Sequence, residues 1–331
     1  MYYSSYLQLD KILNAQELES DKRNQHAHDE MLFIVIHQAY ELWFKQVLFE
    51  VRSVHGILSQ PEINDNSPEL ATINRRLTRV VEILKVLVHQ IDILETMTPL
   101  DFLEFRDMLR PASGFQSMQF KELEAALGLR MEQRHGREYY TSQLTPDDKT
   151  RIEGLNAHQT ILELVSAWLD RMPFDDHISV EGKDFWAAYG DVYGSTLQEG
   201  ERENRKVYEQ LFTDGGVLEG RVFTQSARRA ALFITLYRDL PMLQNPYRLL
   251  NHLLEIDELL ANWRWRHMNM VHRMVGMRMG TGGSSGKGYL REAAIKHYVF
   301  GEIAELTSFM VPRRLLPGLP EELESRLGFN G

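Results

Sequence analysis

Two histidines sit inside strongly apolar stretches: His37 in MLFIVIHQAYELW and His267 in WRWRHMNMV. An imidazole in such a setting has two readings. The commoner is a core residue satisfied by a neighbouring hydrogen bond. The other is a group that faces a metal or a cofactor. Cysteine is absent, so thiolate-held iron–sulfur clusters, Cys-based zinc sites and thiolate-ligated haem are excluded, and a metal would have to take His, Asp, Glu or Met. Two buried histidines on two long helices would suit a haem slot in a bundle, one proximal and one distal. Arg264, Arg266 and Arg273 crowd the same segment as His267, and several cations there would suit an anionic cofactor edge. Spacing alone leaves both readings open.

Other motifs carry less. GTGGSSGKG (280–288) invites a phosphate-loop reading, but Thr281 stands where a Walker A loop needs its first glycine and Gly288 where it needs Ser or Thr. Ser285 likewise breaks G-x-G-x-x-G. What remains is a segment rich in backbone N–H donors and hydroxyls directly after a long helix. His26 and His28 are out of phase for one helical face, and His272 is five residues from His267. H-E-x-x-H is missing, and no G-x-S-x-G nucleophile elbow is present: GGSSG (282–286) matches the letters, but a helix and not a strand precedes it. RPASGFQSMQF (110–120) reads as a capped turn entering a helix, and Arg106 just before it reads from local sequence as a surface ion pair.

The elements that must position these groups are helices. From Ile73, apolar residues recur at Leu77, Val80, Leu84, Leu87, Ile91 and Leu94, in alternating steps of four and three, within a helix ending near Met97. Thr98, Pro99 and Asp101 then read as an N-cap, a proline at the first helical position and an acidic first turn. A second seam, Leu249, Leu253, Ile256, Leu260, Trp263, His267, Met270 and Met274, runs along a helix over about 246–275, closed by Gly276 and Gly280. A third helix over about 29–55 is apolar on nearly every side, which predicts burial in the middle of a bundle, with His37, Glu41 and Lys45 on one stripe. Residues 129–155 are charged and punctuated, 213–221 is a glycine-rich break, and helices are expected near 157–171 and 184–212. Turn-bounded β-branched runs are nearly absent. The chain is therefore read as all-α: one helical unit over 1–331, with an N-terminal arm over about 1–20 and an excursion over about 129–225.

Composition narrows the function. Lys plus Arg number 37 against 47 Asp plus Glu, and a net charge of −10 is poorly suited to phosphate neutralisation, so a nucleic-acid partner is not expected. The N-terminus lacks a basic and apolar leader, and no apolar run approaches the roughly 18 residues of a membrane span. A cytoplasmic protein without a membrane partner is the expectation.

Three segments carry a resemblance: HDEMLFIVIHQAYELWFKQVLFE (28–50), LDFLEFRDMLRPASGFQSMQF (100–120) and WRWRHMNMVHRMVGMRMGTGGSSGKGYL (263–290). Together they resemble the hallmark segments of the tryptophan 2,3-dioxygenase family, and YYSSYLQLDKIL (2–13) is similar to that family's N-terminal arm. Order and spacing agree over about residues 2–300. The resemblance implies a haem-binding helical bundle with one haem b per subunit, inserting both atoms of O2 across the indole C2–C3 bond of L-tryptophan to give N-formyl-L-kynurenine. It implies a homotetramer, a dimer of dimers. His267 matches the proximal iron ligand and His37 the distal histidine facing the indole N–H. Phe33 and Phe102 match pocket-lining positions, the latter being Tyr in some bacterial members, and Arg106 matches the arginine gripping the substrate carboxylate. Thr281 matches the residue near the substrate ammonium and a haem propionate, and Ser113 and Gly114 match positions beside the haem. Tyr3, Tyr6 and Leu7 match arm residues donated by a neighbouring subunit. Two other readings stand beside this one. A haem-dependent hydroxylase of another aromatic amino acid would share the cradle, and a helical scaffold would explain the seams but not the buried histidines.

Overall fold

The computed structural model describes residues 1–331 except 61–67, 130–144, 156–157, 173–177, 181, 216–218, 277, 279–290, 293–295 and 329–331. Its helices, in chain order, are α1 (Tyr3–Leu7), α2 (Leu9–Leu13), α3 (Glu19–Lys22), α4 (Asp29–Leu58), α5 (Pro68–Leu94), α6 (Pro99–Phe105), α7 (Met118–Leu127), α8 (Pro146–Leu155), α9 (Ile161–Leu169), α10 (Phe185–Thr196), α11 (Asn204–Phe212), α12 (Gln225–Leu236), α13 (Gln244–Val275), α14 (Gly301–Glu305) and α15 (Glu321–Leu327). Short 3₁₀ turns join several of them. Among the described residues the strands are one hairpin, β1 (Ser179–Val180) against β2 (Lys183–Asp184), antiparallel, with Ser179 opposite Asp184. The fold class is all-α, as the periodicity predicts.

The frame is α4, α5 and α13, of 30, 27 and 32 residues. At 1.5 Å per residue these are rods of roughly 40–48 Å. Both predicted seams exist. Ile73, Leu77, Val80, Leu84, Leu87, Ile91 and Leu94 are all buried, as are Leu249, Leu253, Ile256, Leu260, Met270 and Met274, and α5 and α13 pack along one another. On the same seam Trp263 and His267 are only half-buried. Helix α4 lies against α5 on one side and α7 and α9 on the other. Thr98 caps α6 as predicted: its backbone N–H donates to the Asp101 carboxylate at 3.0 Å, and its hydroxyl accepts from the Asp101 N–H at 3.3 Å.

Two expectations need correcting. Helix α4 is not enclosed on all sides. Ile36, Tyr40, Phe44, Val47 and Val51 face the core, while Val35, Leu42 and Phe49 form an exposed stripe, Phe49 at 67%. Within one chain α5, α7 and α9 cover two sides of this rod and leave the third bare. The predicted helix over 184–212 is two helices, α10 and α11, with Leu197 extended between them. The Gln198 N–H donates to the Glu201 side chain at 3.0 Å, closing a separate 3₁₀ turn that contains Gly200 and interrupts the helix.

The excursion helices share one connected apolar core with the three rods, through Leu162, Trp168, Trp186 and Phe233 among others. Tyrosines of this region hold the chain after residue 300. Tyr189 donates to the Phe309 carbonyl at 2.7 Å, Tyr193 to Ser308 at 3.1 Å and Tyr237 to Pro317 at 2.7 Å. At the other end, the buried Glu30 carboxylate accepts from the Glu19 and Ser20 N–H groups at 2.8 and 2.9 Å, docking residues 19–30. Residues 1–15 before them are exposed except for half-buried Leu9.

Candidate active site

The first histidine and its neighbours stand on α4 and α6. The Nδ1 atom of His37 lies 2.7 Å from the Phe33 carbonyl, one turn back on the same helix. A carbonyl can only accept, so Nδ1 carries the hydrogen and Nε2 keeps its lone pair. Burial holds the imidazole below its ordinary range, against smaller opposing pulls from the Phe33 hydrogen bond and Glu41. His37 is therefore neutral at pH 7, with an acceptor on its free edge. The Phe33 ring lies 4.1 Å from the imidazole, centroid to centroid, and forms a triangle with Phe102 and Phe105 of α6 at 5.8, 5.6 and 5.5 Å.

Arg106 follows Phe105 directly, and here the surface-pair expectation fails: the residue is only 4% exposed. Packing of α6 between α4 and α13 takes it inward. Burial is the main cause of a lowered guanidinium pKa, with Asp107 opposing and Arg110 and Arg278 adding to it. Among these named groups the cations outnumber the anion, a field suited to a carboxylate. A guanidinium stays charged there in any case.

The second histidine stands on α13. Burial pushes the His267 imidazole down to about 4, with the nearby His37 adding to the effect. His267 is thus also neutral at pH 7, with a lone pair available, and among the described residues it makes no hydrogen bond. Its ring lies parallel to Trp263, 5.1 Å between centroids and 5° between planes. Behind Trp263 stand Phe120 at 5.0 Å, Tyr40 at 6.0 Å and Phe44 at 6.3 Å. Phe33, His37, Phe102 and His267 are all half-buried, at the margin of the core and not within it.

The cation cluster around His267 dissolves on inspection. Arg264 is buried, pairs with Glu124 of α7 at 2.8 Å and donates to the His297 carbonyl at 3.0 Å. Arg266 pairs with Asp92 at 2.5 Å and Glu95 at 3.1 Å and donates to the Val88 carbonyl. Only Arg273, in the last turn, is exposed. These partners lie 33 to 178 residues away in sequence, beyond any local pattern. One face of α13 also carries Asp257, whose carboxylate accepts from the Val299 and Phe300 N–H groups at 3.0 and 2.5 Å. Burial pushes that carboxyl up to about 6.

The remaining predicted site residues divide into three groups. Thr281, with the whole 280–288 segment, lies outside the described residues. Ser113 caps the 3₁₀ turn Gly114–Gln116, its hydroxyl accepting from the Phe115 N–H at 3.4 Å, and Gly114 has open space where a Cβ would stand. Tyr3, Tyr6 and Leu7 lie on the exposed α1, with Tyr3 at 75%, and within one chain they are not buried against the histidine pocket. Sequence reading missed Tyr40, Phe44 and Phe120 as neighbours of the site and took Trp263 only as a seam residue. A usable signal was present, since each histidine has an aromatic residue four positions earlier: Phe33 before His37 and Trp263 before His267. Among the described residues no group of three or more His, Asp or Glu side chains is placed to hold a metal ion.

Comparison with known proteins fits this geometry. The family model for tryptophan 2,3-dioxygenase matches residues 1–213 and 202–310. The chain is 38% identical to tryptophan 2,3-dioxygenase of Bdellovibrio bacteriovorus over 100% of its own length and 98% of the relative's. It is 39% identical to that of Dictyostelium discoideum (99% and 88%) and 41% identical to that of Aedes aegypti (99% and 89%).

Proposed function

The chain belongs to the tryptophan 2,3-dioxygenase family, and we propose that it is a haem b protein, one haem per chain, that inserts both atoms of O2 across the indole C2–C3 bond of L-tryptophan to give N-formyl-L-kynurenine. The observation that carries this reading is the pair of neutral imidazoles on α4 and α13, each backed by an aromatic ring, with a buried arginine on the helix beside them. The donor set fits haem. His267 offers a deprotonated nitrogen without a competing protein hydrogen bond among the described residues, on a ring stacked against Trp263. Haem held on a neutral histidine supplies O2 binding and activation when bound.

The rest is the chain's own work. His37 presents Nε2 as an acceptor, which suits the indole N–H. Indole is a very weak acid, so His37 positions it and does not deprotonate it. Phe33 and Phe102 supply apolar walls and exclude water. Arg106 offers a planar, permanently charged fork for the carboxylate, which a lysine does not reproduce. Holding the indole in one pose matters most here, because oxygen insertion gains chiefly from proximity and small displacements are costly. Thr281 is assigned to the substrate ammonium and a haem propionate, and Ser113 and Gly114 to the haem edge. The exposed arm, Tyr3, Tyr6 and Leu7, would complete a neighbour's pocket in a homotetramer built as a dimer of dimers. The bare apolar stripe Val35, Leu42 and Phe49 supports assembly of that kind. A cytoplasmic location is part of the same proposal; among the described residues no helix is long and apolar enough to cross a membrane.

The test is product identity. Haem-loaded, reduced protein given L-tryptophan and ¹⁸O2 should yield N-formyl-L-kynurenine carrying both labelled atoms, and His267→Ala should purify nearly free of haem yet largely helical. A single labelled atom in a hydroxylated amino acid, or a colourless protein that cannot be loaded, overturns the reading.

A further inference from the structure

We propose that Trp263 is a positioning residue that fixes the plane of the His267 imidazole. The inference rests on the haem reading above only for its consequence; its basis is the stacking of the two rings. A histidine that binds a metal usually has its second ring nitrogen tied to a carbonyl or carboxylate, which sets the ring's orientation. His267 makes no such bond among the described residues. The final torsion of histidine is intrinsically broad, so the ring would rock freely without another constraint. The constraint present is a flat one: the Trp263 indole, one helical turn earlier, lies 5° from parallel at 5.1 Å.

A stack orients its partner only if it is itself held, and this one is. Phe120 of α7 lies against the indole at 5.0 Å. Tyr40 and Phe44 of α4 meet it edge-on, at 71° and 85°. Tyr40 is fixed in turn, since its hydroxyl donates to the Leu87 carbonyl of α5 at 2.9 Å. The orientation of His267 thus traces back through Trp263 and Tyr40 to the backbone of α5. Tyr40 also stands three residues after His37, so one aromatic contact ties the distal helix to the proximal one.

Packing alone would make Trp263 matter for stability and for nothing else, and the experiment separates the two roles. Trp263→Leu removes the flat face, and Trp263→Phe keeps one. In haem-free protein, ring ¹⁵N relaxation of His267 should show a mobile imidazole in Trp263→Leu and a fixed one in the parent and Trp263→Phe. In loaded protein, haem transfer to a competing acceptor should be about 10- to 100-fold faster for Trp263→Leu, the range expected for loss of a ligand-orienting group. The ferric low-spin EPR signal should shift and broaden, with Trp263→Phe close to the parent. Should Trp263→Leu not fold, Tyr40→Leu removes the support and leaves the stack, and should move the same signals in the same direction. Unchanged ring mobility, haem release and EPR in a variant whose urea stability has fallen would make Trp263 plain core and overturn the proposal. A parent protein that takes no haem on His267 would overturn the functional reading instead, and the relaxation measurement would still decide the role of Trp263.

Discussion

Replacing Arg106 by leucine tests the carboxylate clamp most directly. The residue is buried at the end of α6, so a carboxylate beside it has shed most of its water. Two other cations influence this position, but neither can substitute. Arg110 is exposed and already paired with Asp107 at 3.1 Å, and Arg278 is exposed. Exposed charges at longer range are screened over about 8–10 Å. The substrate carboxylate in Arg106→Leu therefore keeps its desolvation cost and loses its charge-assisted bonds, a penalty on the order of 2–5 kcal/mol. That is roughly 30- to 4000-fold in affinity at about 1.4 kcal/mol per decade. The loss should fall on kcat/KM for L-tryptophan, measured in haem-loaded protein, with the haem spectrum unchanged because Arg106 is not an iron ligand. Arg106→Lys should recover only part of it, since a point charge does not reproduce the fork. The decisive control is tryptamine, which lacks the carboxylate and should bind parent and variant about equally. If tryptophan and tryptamine weaken by the same factor, Arg106 supports the pocket's shape and the clamp is wrong.

Three further outcomes are expected. Because burial raises Asp257 from 3.8 to about 6, the folded chain holds a proton that the unfolded chain releases between those values. The parent should therefore gain about 2 kcal/mol over Asp257→Asn as pH falls from about 6 to about 4; a pH-independent gap between their urea midpoints would show an ordinary carboxyl. Arg264→Met takes the guanidinium away from the buried Glu124 carboxylate and should cost about 3–5 kcal/mol, much of it recovered in the Arg264→Met, Glu124→Leu double variant; equal losses in single and double variants would remove any coupling between the two. Deleting residues 1–7 should raise KM for L-tryptophan sharply and leave haem content intact, and unaltered kinetics would mean that each pocket is complete within one chain.

What could be read from the sequence was whatever has a short period. The seams of α5 and α13 were legible because core-facing positions repeat every three or four residues, and the cap at Thr98 because its partner is three residues away. Both histidines were legible as anomalies, polar positions among apolar neighbours. The partners of Arg264 and Arg266 were not legible, since Glu124 and Asp92 meet them only after the rods have packed; residues that looked like free cations are spent on ion pairs. Arg106 was misplaced for the same reason: its burial depends on α6 lying between α4 and α13, which no local pattern encodes. The stripe on α4 misled in the opposite direction. Apolar residues on every side mean that every side seeks cover, and the sequence does not say whether that cover comes from the same chain.

The separation of the two histidines has a consequence for biosynthesis. About 230 residues lie between His37 and His267. At the usual 5–20 residues per second, a ribosome needs about 10–50 s to travel from one to the other. Throughout that interval α4 and α5 exist without α13: Tyr40 and Phe44 lack the Trp263 ring they meet in the folded chain, and the α5 seam lacks the helix it packs along. Contacts this distant form late and slowly. The nascent chain therefore carries the apolar seam of α5 uncovered through most of its own synthesis, and a haem held on His267, as proposed, could be captured only when translation is nearly over. Expression yield should thus depend on how well chaperones shield roughly the first 100 residues, and on that haem being available at the moment of release.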